Sequence, residues 1–485
     1  MDVRSGHTHR LTSGDFDHLR PTISPDGSLV AFIAHRDPDA DRTVCRYLWT
    51  VPIGGGHLCR IGGGWGPITD IAWAPCGTRL AFIGQLMGDK GQDRIQAGIY
   101  VTDLAGTAPE CLTEHFGPTL GLWVRSDFRL PETARLLEWT AHGIYFIASE
   151  RGSAGLYRAT AERIEQVVGG PRAVFSFSTG PGGQVAFCAQ NAVHPGDVFT
   201  LDAGGRERQR SEVNQSILSG MTLSQPQHFT FLGTLGQAVD AWIMGPVPRE
   251  EDRRYPLILA THRGAFGQAF FHEYQVLAAH GYSVLYCNHV GAQGYGQLYA
   301  MAQAGNWGGP DVDEMLRGVE AAVDFPYVDG ARVGTIGLSA GGFYSNWLAS
   351  RTDRFLAVVT EGSISNWTSM FGTSDLGSTH TLANVGGTPW EKPREYWIKS
   401  PLAHVEKVRA RVLIIHAEED YRCPLDQAEQ WFQALRYLGR AVEFVLFRGE
   451  SHDFSRTGRP VHRIERLRRI LDWFDRHLRS CELDA

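Results

Sequence analysis

A serine flanked by glycines constrains the fold of this chain more than any other feature. Residues 334–344 read GTIGLSAGGFY. The apolar run RVGTI leads into the serine and suits a buried parallel strand, and GGFYSNWLAS after it has apolar residues at helical spacing. Ser339 is therefore predicted at a tight corner between a strand and a helix. Such a corner strains the backbone and brings neighbouring chain close, which requires almost no side chain at Gly337, Gly341 and Gly342.

The second half of the chain alternates apolar strands with helical segments. Six runs are of the kind that is buried on both faces of a parallel sheet: YPLILATHRG, YSVLYCNHVG, RVGTIGLS, FLAVVTEG, RVLIIHAEED and AVEFVLFRG. Residues 225–485 are therefore predicted to form a doubly wound, mostly parallel α/β domain of the α/β-hydrolase type.

The first half repeats a different pattern, two short strands around a tight turn. The pattern occurs at 21–34, 70–84, 138–149 and 175–189, each time followed by a further strand. Asp-Gly and Gly-Gly at the turns supply the positive backbone angles that hairpins need. Repeats of four short antiparallel strands are typical of a β-propeller, which we predict for residues 1–224. A β-sandwich is the alternative, since its hairpins share the same turn chemistry.

The propeller is predicted to be shortened at its N-terminus. Roughly four blades can be counted before residue 225, and residues 2–12 have the pattern of the outer hairpin of one more blade. An open ring exposes unpaired strand edges and invites pairing with another chain, so a homo-oligomer is one explanation. The other two are a start site placed too far downstream and a smaller ring that closes on fewer blades.

Length, net charge and cysteine spacing argue against several classes of function. A chain of 485 residues is expected to form two domains, and its net charge of -7 gives no reason to expect nucleic acid or an anionic membrane as partner. No apolar stretch reaches the roughly 18 residues that span a bilayer, and the N-terminus lacks the apolar core of a signal peptide. The eight cysteines have no disulfide spacing, which predicts reduced thiols and a cytoplasmic location. The histidines and cysteines have no zinc spacing and the chain has no phosphate-binding glycine loop, so no metal or organic cofactor is expected.

Two later loops offer partners for the serine. A serine hydroxyl becomes nucleophilic only beside a base that a third group orients. In α/β-hydrolase sheets, the acid and then the histidine follow the serine on loops after later strands. RVLIIHA leads into a loop with Asp420, and AVEFVLFRG leads into one with His452. Ser339, Asp420 and His452 are therefore predicted as nucleophile, acid and base at one edge of the sheet.

Neighbouring residues leave alternatives for the acid. Glu418 and Glu419 lie closer to the strand end, and Asp453 adjoins the histidine. Asp420 is favoured because the two glutamates suit solvated loop charges, and the side chain of Asp453 is expected to point away from the imidazole. His416, at the end of the strand, is expected to be a buried structural histidine.

An oxyanion also needs hydrogen-bond donors. One donor is normally the amide after the nucleophile, which here belongs to Ala340. A second comes from the loop after an earlier strand, and THRGAFG (261–267) follows YPLILA. We predict the amide of Gly264 as this donor, with a simple turn between strand and helix as the alternative.

Several segments together resemble the catalytic domain of the prolyl oligopeptidase family, most closely its acylaminoacyl peptidase branch. They are GLSAGGFYSNWL, SISNWTSMFGTSDLG, SPLAHV, HAEEDYRCPLDQAEQWFQAL and FRGESHDFSRTGRPVHRIERLRRILDWF, and the match is dense over 250–480. The resemblance implies a serine peptidase for short peptides whose propeller caps the active site. It also implies that Ser339, Asp420 and His452 are the catalytic triad.

The chain departs from the family pattern in two places. Relatives usually read His-Gly-Gly-Pro where this chain has HRGA, so Arg263 and Ala265 replace a glycine and the proline. Relatives usually read Asn-x-Arg-Gly-Ser where it has NHVGA, so Val290 replaces an arginine. The first change leaves the amide donor in place, and the second removes a cation from near the site.

The residues leave three classes of function open. The leading one is a peptidase that cleaves short or N-acylated peptides through an acyl-enzyme on Ser339. The second is an esterase with the same triad, because an alkoxide leaves more readily than an amine. The third is an interaction protein whose propeller binds a partner and whose hydrolase domain is a relic. The intact triad argues against the third, since a relic should have lost one of its three residues.

Overall fold

In a computed structural model of the chain, residues 5–38, 40, 42–86, 96–128 and 134–479 are described. Their strands form three sheets. Two mostly antiparallel sheets occupy residues 19–209 and form the propeller. The third sheet, over 227–447, is the centre of the α/β-hydrolase domain. The domain boundary predicted between 224 and 225 falls between a short helix that ends at Leu218 and the first strand of the third sheet.

The first sheet has seven strands that pair in chain order. They are β1 (Leu19–Ile23), β2 (Leu29–Ala34), β3 (Arg46–Pro52), β4 (Cys59–Trp73), β5 (Arg79–Leu86), β6 (Gly98–Asp103) and β7 (Glu110–Cys111). The long strand β4 pairs at its start with β3 and at its end with β5, so it joins two of the predicted repeats into one sheet.

The second sheet holds the other two repeats. Its strands are β8 (Thr119–Leu120), β9 (Leu137–Thr140), β10 (Gly143–Glu150), β11 (Ser153–Ala159), β12 (Ile164–Val168), β13 (Ala173–Thr179), β14 (Val185–Asn191), β15 (His194–Leu201) and β16 (Glu207–Gln209). Each of the four repeated patterns is a hairpin, formed by β1–β2, β4–β5, β9–β10 and β13–β14. The propeller prediction is confirmed.

The predicted outer hairpin at residues 2–12 is not seen. Residues 1–4 lie outside the described part of the chain, and residues 5–18 contain no strand. Side chains hold this segment instead: Leu11 packs beside Phe32, and Arg36 donates a hydrogen bond to the Ser13 carbonyl (2.9 Å). A strand needs a partner with free backbone groups, and none of the described strands pairs with this segment.

The hydrolase sheet has the order β17-β18-β20-β19-β21-β22-β23-β24, and β19 to β24 are parallel. The strands are β17 (Gln227–Leu232), β18 (Ala238–Met244), β19 (Tyr255–Thr261), β20 (Ser283–Cys287), β21 (Val328–Leu338), β22 (Ala357–Glu361), β23 (Arg411–Ala417) and β24 (Val442–Phe447). All six predicted apolar runs are strands of this sheet, which confirms the doubly wound architecture.

Helices cover both faces of this sheet, and a large apolar core lies on each face. The α-helices of the described chain are α1 (Gln215–Leu218), α2 (His272–Ala279), α3 (Gln297–Met301), α4 (Pro310–Val323), α5 (Ala340–Arg351), α6 (Trp367–Thr373), α7 (Leu382–Val385), α8 (Pro393–Ile398), α9 (Leu425–Tyr437), α10 (Phe454–Thr457) and α11 (Pro460–Phe474). Short helical turns of other types occupy Gly377–Thr381, Pro401–Lys407 and Asp475–Arg479.

A propeller segment at 124–127 binds directly to the hydrolase domain. Val124 forms a parallel bridge with Ala265, and the Ser126 hydroxyl donates to the Phe270 carbonyl (2.6 Å). The Asp127 carboxylate accepts hydrogen bonds from the backbone N–H groups of His272 (2.9 Å) and Glu273 (2.8 Å). Because α2 has no side-chain cap of its own, the propeller caps this helix of the hydrolase domain.

The corner at Ser339 has the strained backbone that the sequence predicts. Ser339 has φ 62° and ψ -121° between β21 and α5. A Cβ at Gly337 would lie 2.2 Å from the Thr261 hydroxyl, and one at Gly341 would lie 2.2 Å from the Thr261 carbonyl oxygen. A Cβ at Gly342 would lie 2.6 Å from Ser363. The predicted corner is confirmed, and each of its three glycines is required by a close approach.

We expect Gly341→Ala to destabilise the hydrolase domain by about 3 kcal/mol, because the new methyl group meets backbone that has no room to move. Gly372→Ala is the matched control. Gly372 is also helical, and a Cβ there meets nothing within 4 Å. The control should change stability by less than about 1 kcal/mol. Chemical denaturation followed by tryptophan fluorescence measures both variants. Equal unfolding midpoints would contradict the packing account.

Candidate active site

The residues around Ser339 line a cavity of about 680 Å³ at the contact between propeller and hydrolase domain. Ser339, Ala340 and His452 line it from the hydrolase side, and Arg125 and Phe128 line it from the propeller side. A cavity of this size is in the usual range for a small-molecule or peptide site.

Asp420 and His452 are in direct contact. The His452 Nδ1 atom lies 2.8 Å from Asp420 Oδ2. The other carboxylate oxygen accepts hydrogen bonds from the backbone N–H groups of Arg422 (3.0 Å) and Cys423 (2.8 Å). Asp420 is buried, so these bonds fix its orientation. A carboxylate held in this way orients the imidazole and leaves its Nε2 atom for the cavity.

Ser339 begins α5 on the wall of the same cavity. Its backbone N–H donates to the carbonyl of Glu361 at the end of β22 (2.9 Å). The Cys423 thiol lines the same cavity, and burial raises its pKa. The structure therefore brings Ser339 and His452 to one cavity, with Asp420 directly behind the histidine.

Gly362 is a site residue that the sequence analysis missed. It has φ 42°, and a Cβ there would lie 3.2 Å from Asp420 Oδ2 and 3.4 Å from His452 Nδ1. A side chain at this position would crowd the contact between the acid and the histidine. Its position at the end of the run FLAVVTEG, one of the predicted parallel strands, was the signal that could have found it.

The alternative acids lie elsewhere. Glu418 and Glu419 are exposed, and Glu418 accepts a hydrogen bond from the Gly449 N–H (3.1 Å). Asp453 pairs with Arg456 (2.8 Å). His416 is buried, with its Nε2 atom 2.8 Å from the Cys423 carbonyl oxygen, and burial lowers its pKa, which favours the neutral ring.

Gly264 lies in the loop between β19 and α2 with φ 114°. It lines a second cavity of about 310 Å³, whereas Ala340 lines the first. The propeller braces this loop: the Arg125 N–H donates to the Ala265 carbonyl (3.0 Å). On the other side, Asn288 exchanges hydrogen bonds with the backbone of Phe266 (2.7 and 2.8 Å). Contacts with the propeller thus hold the loop at the position where Ala265 replaces a proline.

Val290, where the family motif usually has an arginine, does not reach either cavity. It is fully buried beside Ala292 and Tyr299, and its N–H donates to Glu314 (2.6 Å). The position at which relatives usually carry an arginine therefore contributes no charge to either cavity.

A buried ion cluster behind Ser339 was also not predicted. Arg466 of α11 binds both carboxylate oxygens of Glu361 (2.5 and 2.6 Å) and one of Glu273 (2.5 Å). Burial raises the pKa of Glu361, although the positive charge of Arg466 lowers it. The two carboxylates raise the pKa of Arg466 more than burial lowers it. The cluster ties α2, β22 and α11 together beside the strand end that holds the Ser339 amide.

The described part of the chain contains neither a cluster of metal ligands nor a helix suited to cross a membrane. No three histidine, cysteine or carboxylate side chains in this part of the chain lie together as metal ligands. None of the helices built from these residues is both long and apolar enough to cross a membrane.

Comparison with known proteins agrees with this geometry. Residues 268–481 match the model of the prolyl oligopeptidase family. The chain is 34% identical to the uncharacterized peptidase YuxL of Bacillus subtilis, over 99% of this chain and 74% of that protein. It is 26% identical to dipeptidyl-peptidase 5 of Porphyromonas gingivalis, over 94% of this chain and 66% of that protein.

A solved structure shows the same fold. The acylaminoacyl peptidase of Pyrococcus horikoshii superposes with a TM-score of 0.81 at 24% identity, over 93% of this chain and 69% of that one. With a matching family domain and a relative 34% identical over 99% of this chain and 74% of its own length, the chain belongs to the prolyl oligopeptidase family and is a serine peptidase.

Proposed function

We propose that this peptidase hydrolyses short peptides, preferably N-acylated ones, through an acyl-enzyme on Ser339. The observation that carries the proposal is the buried Asp420–His452 contact on a cavity that Ser339 also lines. A serine, a histidine and a carboxylate in this order are the parts that nucleophilic attack on an amide requires.

In the proposed reaction, Ser339 Oγ attacks the carbonyl carbon of the scissile amide and His452 Nε2 accepts the hydroxyl proton. The Asp420 carboxylate holds the Nδ1–H and stabilises the imidazolium. The backbone N–H groups of Ala340 and Gly264 stabilise the oxyanion. When the C–N bond breaks, His452 gives its proton to the leaving amine. A water then attacks the ester by the same steps and releases the acid.

The carboxylates around the cavity favour a blocked amino terminus. A free peptide ammonium needs an anion, but each carboxylate that lines the cavity within the described chain already has a partner. Asp127 binds the start of α2, Glu273 and Glu361 bind Arg466, and Asp453 binds Arg456. An acylated nitrogen carries no charge and therefore has no such requirement.

The propeller is proposed to limit access to this cavity. Arg125, Asp127 and Phe128 line it from the propeller side, so a substrate must fit between the two domains. This arrangement favours short, flexible peptides over folded proteins. A cytoplasmic location is also proposed, since the described cysteines are all free.

We expect an N-acetylated tetrapeptide to be hydrolysed with a kcat/KM at least about tenfold above that of the same peptide with a free amino terminus, because the latter must bury an unpaired ammonium. Mass spectrometry of the products, with time courses at several concentrations, measures both values. A faster reaction of the free peptide would contradict the proposed preference but not the peptidase activity.

Variants test the nucleophile and the acid. Ser339→Ala should lower kcat by about a millionfold and abolish labelling by a fluorophosphonate probe, and Asp420→Asn should lower kcat by roughly 10⁴-fold because the imidazole loses its orienting partner. Glu419→Gln is the control, since this exposed neighbour should leave kcat within about twofold. Labelling that persists in Ser339→Ala, or a larger loss in Glu419→Gln than in Asp420→Asn, would overturn the assignment.

A further inference from the structure

Arg125 extends from the propeller along the loop that holds Gly264. A Cβ on Gly264 would lie 3.6 Å from Arg125 Cγ and 3.7 Å from its Nε, so the arginine side chain runs directly beside this loop. Its guanidinium lies 5.8 Å from the centre of the Trp123 ring. Arg125 lines both the Ser339 cavity and the second cavity.

The guanidinium of Arg125 has no acid partner among the described residues. Six arginines and four carboxylate residues line the Ser339 cavity, although the chain as a whole has a net charge of -7. The other arginines have contacts of their own: Arg422 binds Asp375, Arg456 binds Asp453, Arg466 binds Glu361, Arg463 donates to the Ser455 carbonyl, and Arg263 lies over the Trp307 ring.

Two cations and one anion act on the charge of Arg125. Burial lowers its pKa, and so do the guanidinium groups of Arg456 and Arg263, while the Asp453 carboxylate raises it. An arginine keeps its proton in such surroundings, so a positive charge is held there without a matching negative one. Such an arrangement is stabilised when an anion binds.

The second cavity also has more positive than negative side chains in its lining. Arg125 and Arg263 are its charged residues, and no carboxylate of the described chain lines it. Its other polar residues include five glutamines, at positions 85, 96, 293, 297 and 303. At about 310 Å³ it has the size of a small ligand site, and Gly264 forms part of its wall. The two arginines therefore lie where the cavities meet, beside the proposed oxyanion donor.

We propose that Arg125, together with Arg263, binds a carboxylate of the peptide substrate in the second cavity. This inference rests on the proposed function and names its substrate class: short peptides that carry a carboxylate close to the scissile bond. That group is either the C-terminal carboxylate or the side chain of an acidic residue. A guanidinium can donate hydrogen bonds to both oxygens of a carboxylate. The amide groups of the glutamines would donate further hydrogen bonds to the same oxygens.

The test measures binding to the Ser339→Ala protein, so it does not depend on turnover. The ligands are two pairs of N-acetylated tetrapeptides. The first pair has the same sequence and ends in either a carboxylate or an amide. Both members of the second pair end in an amide and differ only by glutamate or glutamine at one position. Isothermal titration calorimetry gives Kd for each. We expect the carboxylate member of one pair to bind at least about tenfold more tightly than its neutral partner, the usual effect of a charge-assisted contact.

Arg125→Gln in the same background should remove most of this difference, and Arg125→Lys should retain part of it because the charge remains. Arg208→Gln is the control, since Arg208 is exposed on β16 and lines neither cavity, and it should leave every Kd within about twofold. Raising the salt concentration should weaken binding of the carboxylate peptide more than that of its amide. Circular dichroism verifies that each variant is folded, and Arg263→Gln provides an independent second variant.

The two pairs of peptides show which carboxylate of the substrate is bound. A preference in the first pair assigns the C-terminal carboxylate, and one in the second pair assigns an acidic side chain. Equal binding within both pairs, no binding of any peptide, or a preference unchanged in both Arg125→Gln and Arg263→Gln would overturn the proposal. If the wild-type protein fails to cleave peptides while the carboxylate preference stands, the proposed reaction fails and the carboxylate site does not.

Discussion

The close approach of β19 to the start of α5 is the contact on which the site depends. Gly337 passes the Thr261 hydroxyl and Gly341 passes the Thr261 carbonyl with no room for a Cβ, and the chain between them turns through the strained conformation of Ser339. This packing aims the serine away from the sheet and toward the cavity. It also places the amide of Ala340 at the start of a helix, where the N–H groups are free to bind an anion.

Much of this arrangement could be predicted because it follows from local pattern and from sheet topology. Strand periodicity identified β19 to β24, and the carboxyl ends of parallel strands meet at one edge, which brought Asp420 and His452 to Ser339. The predicted outer hairpin at residues 2–12 was wrong in its described part, because a strand-like pattern does not provide a neighbouring strand to pair with.

What could not be predicted depends on contacts between distant parts of the chain. Arg125 reaches the Gly264 loop only because the propeller docks on the hydrolase domain. The residues next to Arg125 in the sequence give no sign of this contact. The cluster of Arg466 with Glu361 and Glu273 likewise joins three separate elements. The charges of the cavity thus come from both domains: each of its carboxylates has a partner within the protein, whereas Arg125 has no acid partner among the described residues.

The central claim is that Ser339 forms the covalent bond while Ala340 and Gly264 hold the oxyanion. A crystal structure of the protein with a peptide boronate tests it most directly. The account predicts a bond from Ser339 Oγ to boron, with one boronate oxygen within about 3 Å of the backbone nitrogens of both Ala340 and Gly264. A boronate attached to another residue, or an oxygen that points away from both amides, would contradict the account.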